Sequence, residues 1–208
     1  MSSKFNLVTV QTESQWKEYH RIRREELFDN SPTYQEDHED EFKAKKFHII
    51  GAPGSGKTYL AKKLSEISNA PLLELDQIHW NNDAEDYNTK APEHVRDAKL
   101  KEFISGEGWI VEGIYYKWTD ISFAKADLII IIFPSSFTRN FRVIKRYILA
   151  KFGKGSSNEN SLKDLYALIR WGNTYLHDKL PKIDEITAKY KDKRVYINSA
   201  DDFLKVLK

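Results

Sequence analysis

The sequence predicts a parallel α/β sandwich, and three observations carry that prediction. From Phe47 onward, short apolar runs alternate with stretches whose apolar residues recur every three or four positions, the pattern of strands taking turns with helices. The most hydrophobic run, Leu128 to Phe133, shows no polar alternation, as a central parallel strand covered on both faces requires. A glycine-rich stretch, Gly51 to Gly56, divides an apolar run from an amphipathic one and reads as the turn between a strand and a helix.

Each element follows in order. Phe47, His48, Ile49 and Ile50 predict the first strand of this unit, and Leu60, Ala61, Leu64 and Ile67 mark the helix behind the glycine turn. Leu72 to Leu75 predicts a strand, Pro92 to Ser105 a helix opened by its proline, and Trp109 to Glu112 a strand that ends before Gly113. Beyond the Leu128 strand, Ser135 to Ala150 and Leu162 to Lys179 read as long helices. Arg194 to Ile197 is the last strand and Asp201 to Leu207 a terminal helix, while Lys151 to Asn160 is composed like a mobile loop. Upstream, Leu7, Val8 and Val10 read as a short strand. Ser14 to Phe28 reads as a helix capped by Thr12 or Ser14, with Trp16, Tyr19 and Leu27 on one side. Asp29 to Glu41 holds six acids and no Lys or Arg, the composition of a solvated linker. The expected organisation is an appendage over 1–43 and one domain over 44–208.

Composition bounds the function. A chain of 208 residues suits one compact domain of roughly 150 residues with an appendage. Lys plus Arg number 33 against 31 acids, for a net charge of +2, and 40% of the residues are hydrophobic; this excludes intrinsic disorder and an all-over nucleic-acid polyelectrolyte. There is no cysteine, which excludes disulfides, thiolate metal sites and a cysteine nucleophile. No run approaches the roughly 18 apolar residues of a membrane span, and the N-terminus lacks a signal-peptide core, so a cytoplasmic protein without a membrane partner is expected.

Gly51-Ala52-Pro53-Gly54-Ser55-Gly56-Lys57-Thr58 matches the Walker A pattern Gly-x-x-x-x-Gly-Lys-Ser/Thr in full, between a predicted strand and a predicted helix. The glycines let the backbone curl so that several N–H groups aim at one phosphate, and the helix adds its positive end. Gly51, Gly54, Ser55, Gly56, Lys57, Thr58 and Tyr59 are the expected nucleotide-binding residues. Lys57 is expected to reach the β- and γ-phosphates of ATP, and the Thr58 hydroxyl to ligate Mg²⁺.

Three further features favour phosphoryl transfer over a motor or a switch. Asp76 follows a strand at the carboxyl edge of the sheet, where a carboxylate can orient or deprotonate an attacking hydroxyl; His79 and Trp80 stand beside it. Glu112 ends an apolar strand before Gly113, a position from which an acid can hold the metal's water shell, and Tyr115, Tyr116 and Trp118 follow as substrate-facing or packing aromatics. Leu128 to Asn158 contains no acid while Arg139, Arg142, Lys145, Arg146, Lys151 and Lys154 accumulate. Arg139, Arg142 and Arg146 share a helical face and could close over a transferring phosphoryl group, with Arg170 a further candidate. The alternative is a nucleotide-gated regulatory protein that binds nucleic acid through the basic region from Arg139 to Lys154.

On these residues the chain resembles the adenylate-kinase-like P-loop kinases, and among them the DNA topology modulation (FlaR-like) proteins. The resemblance covers about residues 46 to 207 and rests on Ile49-Ile50-Gly51 with the loop, Leu75-Asp76 with His79-Trp80, Trp109 to Tyr115, Ala126 to Ile130, and the three arginines. It implies a three-layer sandwich with a five-stranded parallel sheet in the order 2-3-1-4-5, a mobile acceptor region and a helical lid. It also implies a small-molecule acceptor, such as a nucleoside or nucleotide, with Asp76 as the acceptor-side acid and Glu112 standing where Asp is more usual. The larger acceptor domain and the Asp/Arg-paired lid of true adenylate kinases are not visible. Residues 1–43 resemble the opening strand and helix of a GNAT acetyltransferase, on Trp16, Tyr19 to Phe28, Tyr34 and His38 to Glu41, without that family's acetyl-CoA loop.

Overall fold

The computed structural model describes residues 45–81, 89–152 and 161–206. Five strands form one sheet: β1 Lys46–Gly51, β2 Leu72–Glu74, β3 Trp109–Gly113, β4 Leu128–Ile132 and β5 Arg194–Ile197. All four pairings are parallel and the order is β2-β3-β1-β4-β5, which is the expected arrangement. The helices are α1 Lys57–Ser68, α2 Leu75–His79, α3 Glu93–Phe103, α4 Asp120–Lys125, α5 Ser136–Phe152, α6 Leu162–Thr187 and α7 Ala200–Val206, with a 3₁₀ turn at Ala188–Lys193.

The period of two along each strand sorts side chains into two cores. Trp109, Val111, Ile129 and Ile131 join Leu75, Leu100, Phe123 and Ile183 on one face. Phe47, Ile49, Ile110, Ile130 and Ile132 join Leu60, Leu64 and Phe203 on the other. β4 is buried at all five positions, so its unbroken hydrophobicity reflects cover on both sides. The same alternation puts Glu112 on the face of Ile110, toward α1.

Several boundaries differ from expectation, each for a local reason. β2 stops at Glu74 because Leu75 already begins α2, so Asp76 lies in the first turn of a five-residue helix. Both α2 and α4 are too short for a 3.6-residue period to register in the sequence. Pro92 precedes α3 as its cap residue, and its carbonyl accepts from the Val95 and Arg96 N–H groups. α6 runs on to Thr187 through Pro181, whose missing N–H would have reached His177, an exposed residue; beyond the proline, Ile183 is buried in the core and Ile186 packs against it. Lys151 and Phe152 belong to α5 rather than to a loop. The remainder of the predicted loop, 153–160, lies outside the described residues, as do the predicted N-terminal strand, helix and acidic linker. Among the described residues no helix is long and apolar enough to cross a membrane.

Candidate active site

The glycine loop leaves the end of β1 and enters α1 with two residues in the left-handed region, Gly54 at φ 75° and Gly56 at φ 98°. Only glycine takes those angles without strain. Space is equally restrictive: a Cβ on Gly54 would lie 2.6 Å from the Arg139 carbonyl oxygen and 2.8 Å from Val143. The turn closes through the Ser55 N–H to the Ala52 carbonyl at 3.1 Å. The Ser55 carbonyl accepts from Arg142 Nη1 at 3.0 Å, so α5 is tied to the loop. A cavity of about 180 Å³ opens here, bounded by Gly54, Gly56, Lys57 and Thr58 on one side and Arg142 and Arg146 on the other. Tyr59 also lines it, while its ring remains 48% exposed.

Lys57 and Thr58, which line this cavity, both meet Glu112. Thr58 Oγ1 donates to Glu112 Oε1 at 2.8 Å, and Lys57 Nζ is 3.9 Å from Glu112 Oε2. Burial pushes the Glu112 carboxyl above its ordinary value, and the Glu74 and Asp76 carboxylates add to the rise, against the Lys57 charge and the Thr58 bond. Glu112 Oε2 is buried without a hydrogen-bond partner, as is Ser55 Oγ. Such atoms are costly to leave unpaired in a finished core. A hydroxyl and an unsatisfied carboxylate oxygen beside a phosphate-shaped loop form a hard-oxygen donor set that fits Mg²⁺. No group of three or more His, Cys, Asp or Glu that could hold a metal is found among the described residues.

The second part of the site lies around Asp76. This exposed carboxylate accepts from the Tyr115 hydroxyl at 2.7 Å, joining α2 to the segment that follows β3. Burial first, and then that bond, push the Tyr115 hydroxyl far above its ordinary range. His79 stacks on Tyr115 with ring centroids 4.4 Å apart, and Trp118 continues the stack at 6.2 Å from His79. Arg96 caps Trp118 at 4.2 Å from its ring centre and is held by Asp97. Burial, with Lys90 and Arg96 nearby, holds His79 below its ordinary pKa, against the Asp76 charge. His79 Nδ1 and Trp118 Nε1 are buried without partners. Trp80 makes an antiparallel bridge with Lys90 and meets His79 edge-on.

The three arginines are not one clamp. Arg139 is 1% exposed, its Nη2 donating to Asn173 Oδ1 of α6 and to Ser136, and its Nη1 has no partner. Its backbone fills the space beside Gly54, and its Nε lies 3.4 Å from where a Cβ on Gly172 would be. Arg139 is therefore a buried joint between the loop, α5 and α6, whereas Arg142 and Arg146 face the cavity. Helical spacing put the three on one face but could not say how deep each would sit. Arg170 is exposed and away from the cavity lining. The sequence offered no signal for Asn173, Arg96 or the Tyr175 hydroxyl, which donates to the Ile114 carbonyl at 2.8 Å and pins α6 to the end of β3.

No family model matches the chain, and no curated protein matches it at a significant level. Among solved structures it is similar to a gluconokinase from Sinorhizobium meliloti, at 13% identity and a TM-score of 0.48, over 79% of this chain and 90% of that one. It is also similar to a shikimate kinase from Acinetobacter baumannii, solved in complex with shikimate, at 16% identity and a TM-score of 0.47, over 81% and 96%. The fold assignment itself rests on the sheet order and register given above.

Proposed function

We propose that this chain is a P-loop phosphotransferase that moves the γ-phosphoryl group of ATP onto a hydroxyl of a small-molecule acceptor, within the adenylate-kinase-like group. The observation that carries this reading is the meeting of Lys57, Thr58 and the unsatisfied Glu112 carboxylate under a glycine loop faced by Arg142. Lys57 and the loop N–H groups bind the phosphates. Thr58 and Glu112 would hold Mg²⁺, which would supply neutralisation of the phosphate oxygens. Asp76 orients the acceptor hydroxyl and takes its proton as the new O–P bond forms and the bond to the ADP oxygen breaks. Arg142 and Arg146 stabilise charge on the transferring group, and Arg139 positions Arg142 by locking α5 to the loop.

The rival reading, nucleic-acid recognition through the same basic region, needs its cations displayed outward. Lys145, Arg146 and Lys151 are exposed, but Arg139 is buried and Arg142 is bonded to the glycine-loop carbonyl, which ties the basic helix to the loop, so we adopt phosphotransfer. We assign residues 1–43 to a separate appendage and the protein to the cytoplasm, on the sequence alone. The test is a panel of sugars, hydroxy acids, nucleosides and nucleotides assayed for ADP release with Mg²⁺ and ATP. Acceptor-dependent release that vanishes in Lys57→Ala supports the reading; release absent with every acceptor, together with salt-sensitive DNA binding, overturns it.

A further inference from the structure

α5 is amphipathic in the inverse of the usual sense. Arg139, Arg142 and Arg146 lie on the side turned toward the protein, one buried and two on the cavity wall. At 100° per residue, Phe137, Phe141, Ile144 and Ile148 fall within an arc of about 60° centred roughly 160° from those arginines. All four are exposed: Phe137 by 83%, Phe141 by 59%, Ile144 by 38% and Ile148 by 47%. A surface helix ordinarily turns its charges to solvent and its apolar stripe inward. Here the arginines serve the phosphate cavity and the stripe is left outside. Its spacing of four, three and four residues is that of a coiled-coil seam.

We propose that this stripe is the seam of an isologous dimer, in which α5 packs antiparallel against α5 of a second copy of the chain. The stripe is self-complementary under a two-fold axis placed between Arg142 and Val143. That axis sets Phe137 against the partner's Ile148, and Phe141 against the partner's Ile144. Each of the four layers then holds one phenylalanine and one isoleucine, so layer volume stays constant along the seam. The flanks agree, because Lys145 lies beside the partner's Thr138 and Asn140 beside the partner's Tyr147, and no like charges meet. Together the two stripes would cover on the order of 900 Å² of side-chain surface, the size of a weak association. Any other occupant would have to match this heptad seam by coincidence; a second copy matches it by symmetry. Pairing would also hold α5, and with it Arg142, against the Ser55 carbonyl.

The proposal does not depend on the phosphotransfer reading and is tested on the full chain without nucleotide. Sedimentation velocity over about 1 to 100 μM should show a dimer, and Phe141→Asp, at an exposed position, should raise its dissociation constant at least about a hundredfold with an unchanged melting curve. Because the chain has no cysteine, introduced thiols report the register directly. A mixture of Thr138→Cys and Lys145→Cys proteins should cross-link to the mixed dimer on mild oxidation, and each alone should not. A monomer throughout the range overturns the proposal. So does a dimer that Phe141→Asp leaves intact, or one that fails to cross-link in this register. Dimers that form only after deletion of residues 1–43 would show that the chain covers its own stripe, which also overturns it.

Discussion

The proposed phosphate end and the proposed acceptor end of this site are built by different means. At the phosphate end, one stretch of eight consecutive residues forms a wall of the cavity opposite Arg142 and Arg146, and Ser55 Oγ within it and Glu112 Oε2 beside it are left without hydrogen-bond partners. At the acceptor end, Asp76, His79, Arg96, Tyr115 and Trp118 come from three separate segments and are fastened by ring stacking and one hydroxyl-carboxylate bond. The first end is prepared for charge, and the second offers an aromatic wall with one carboxylate. Phosphate binding needs only backbone direction and a cation, whereas selection of an acceptor needs a surface assembled in three dimensions.

The largest effect should come from the phosphate end. Lys57→Ala should lower ADP production by on the order of a thousandfold or more and weaken ATP binding, both measurable by coupled assay and calorimetry. Unchanged values would break the contrast at its root. Arg142→Ala should lower turnover by on the order of a hundredfold while ATP affinity moves less, because a donor aimed at developing charge acts mainly in the transition state. At the acceptor end, Asp76→Asn should cost on the order of a hundredfold in turnover. Tyr115→Phe should cost only a few-fold, since it removes one bond to the carboxylate and keeps the stack with His79. Equal effects of the two would mean that the tyrosine, not the acid, holds the acceptor.

Glu112 sharpens the comparison through pH. Its folded pKa lies above the ordinary 4.5 because the charged form is buried. The unfolded state therefore binds fewer protons in that window, and stability falls as pH rises from about 4.5 through the folded pKa. Glu112→Gln removes that dependence, so its stability relative to the parent should grow with pH over the same window in denaturant titrations. A constant difference would mean that the buried carboxylate is already compensated. Smallest of all should be deletion of residues 1–43, which should change ATP affinity by no more than a few-fold, because the two cores described above are built from residues between 47 and 204. A larger change would place the appendage within the site's energetics.

What the sequence determined by itself was whatever depends on near neighbours. The loop from Gly51 to Thr58 was legible because eight adjacent residues decide its backbone, and β4 because five consecutive apolar residues can be satisfied only between two layers. Glu112 was legible as a strand-end acid because the alternation that buries Ile110 also turns Glu112 toward α1. The depth of Arg139, the bond from Tyr115 to Asp76 and the docking of Tyr175 on Ile114 were decided by tertiary structure alone. Those partners are separated by 34, 39 and 61 positions along the chain. Helical period assigns a residue to a face, but whether that face meets solvent, a cavity or another helix depends on where distant segments pack. On α5 the result is a helix that buries Arg139, lines a cavity with Arg142 and Arg146, and leaves Phe137, Phe141, Ile144 and Ile148 exposed.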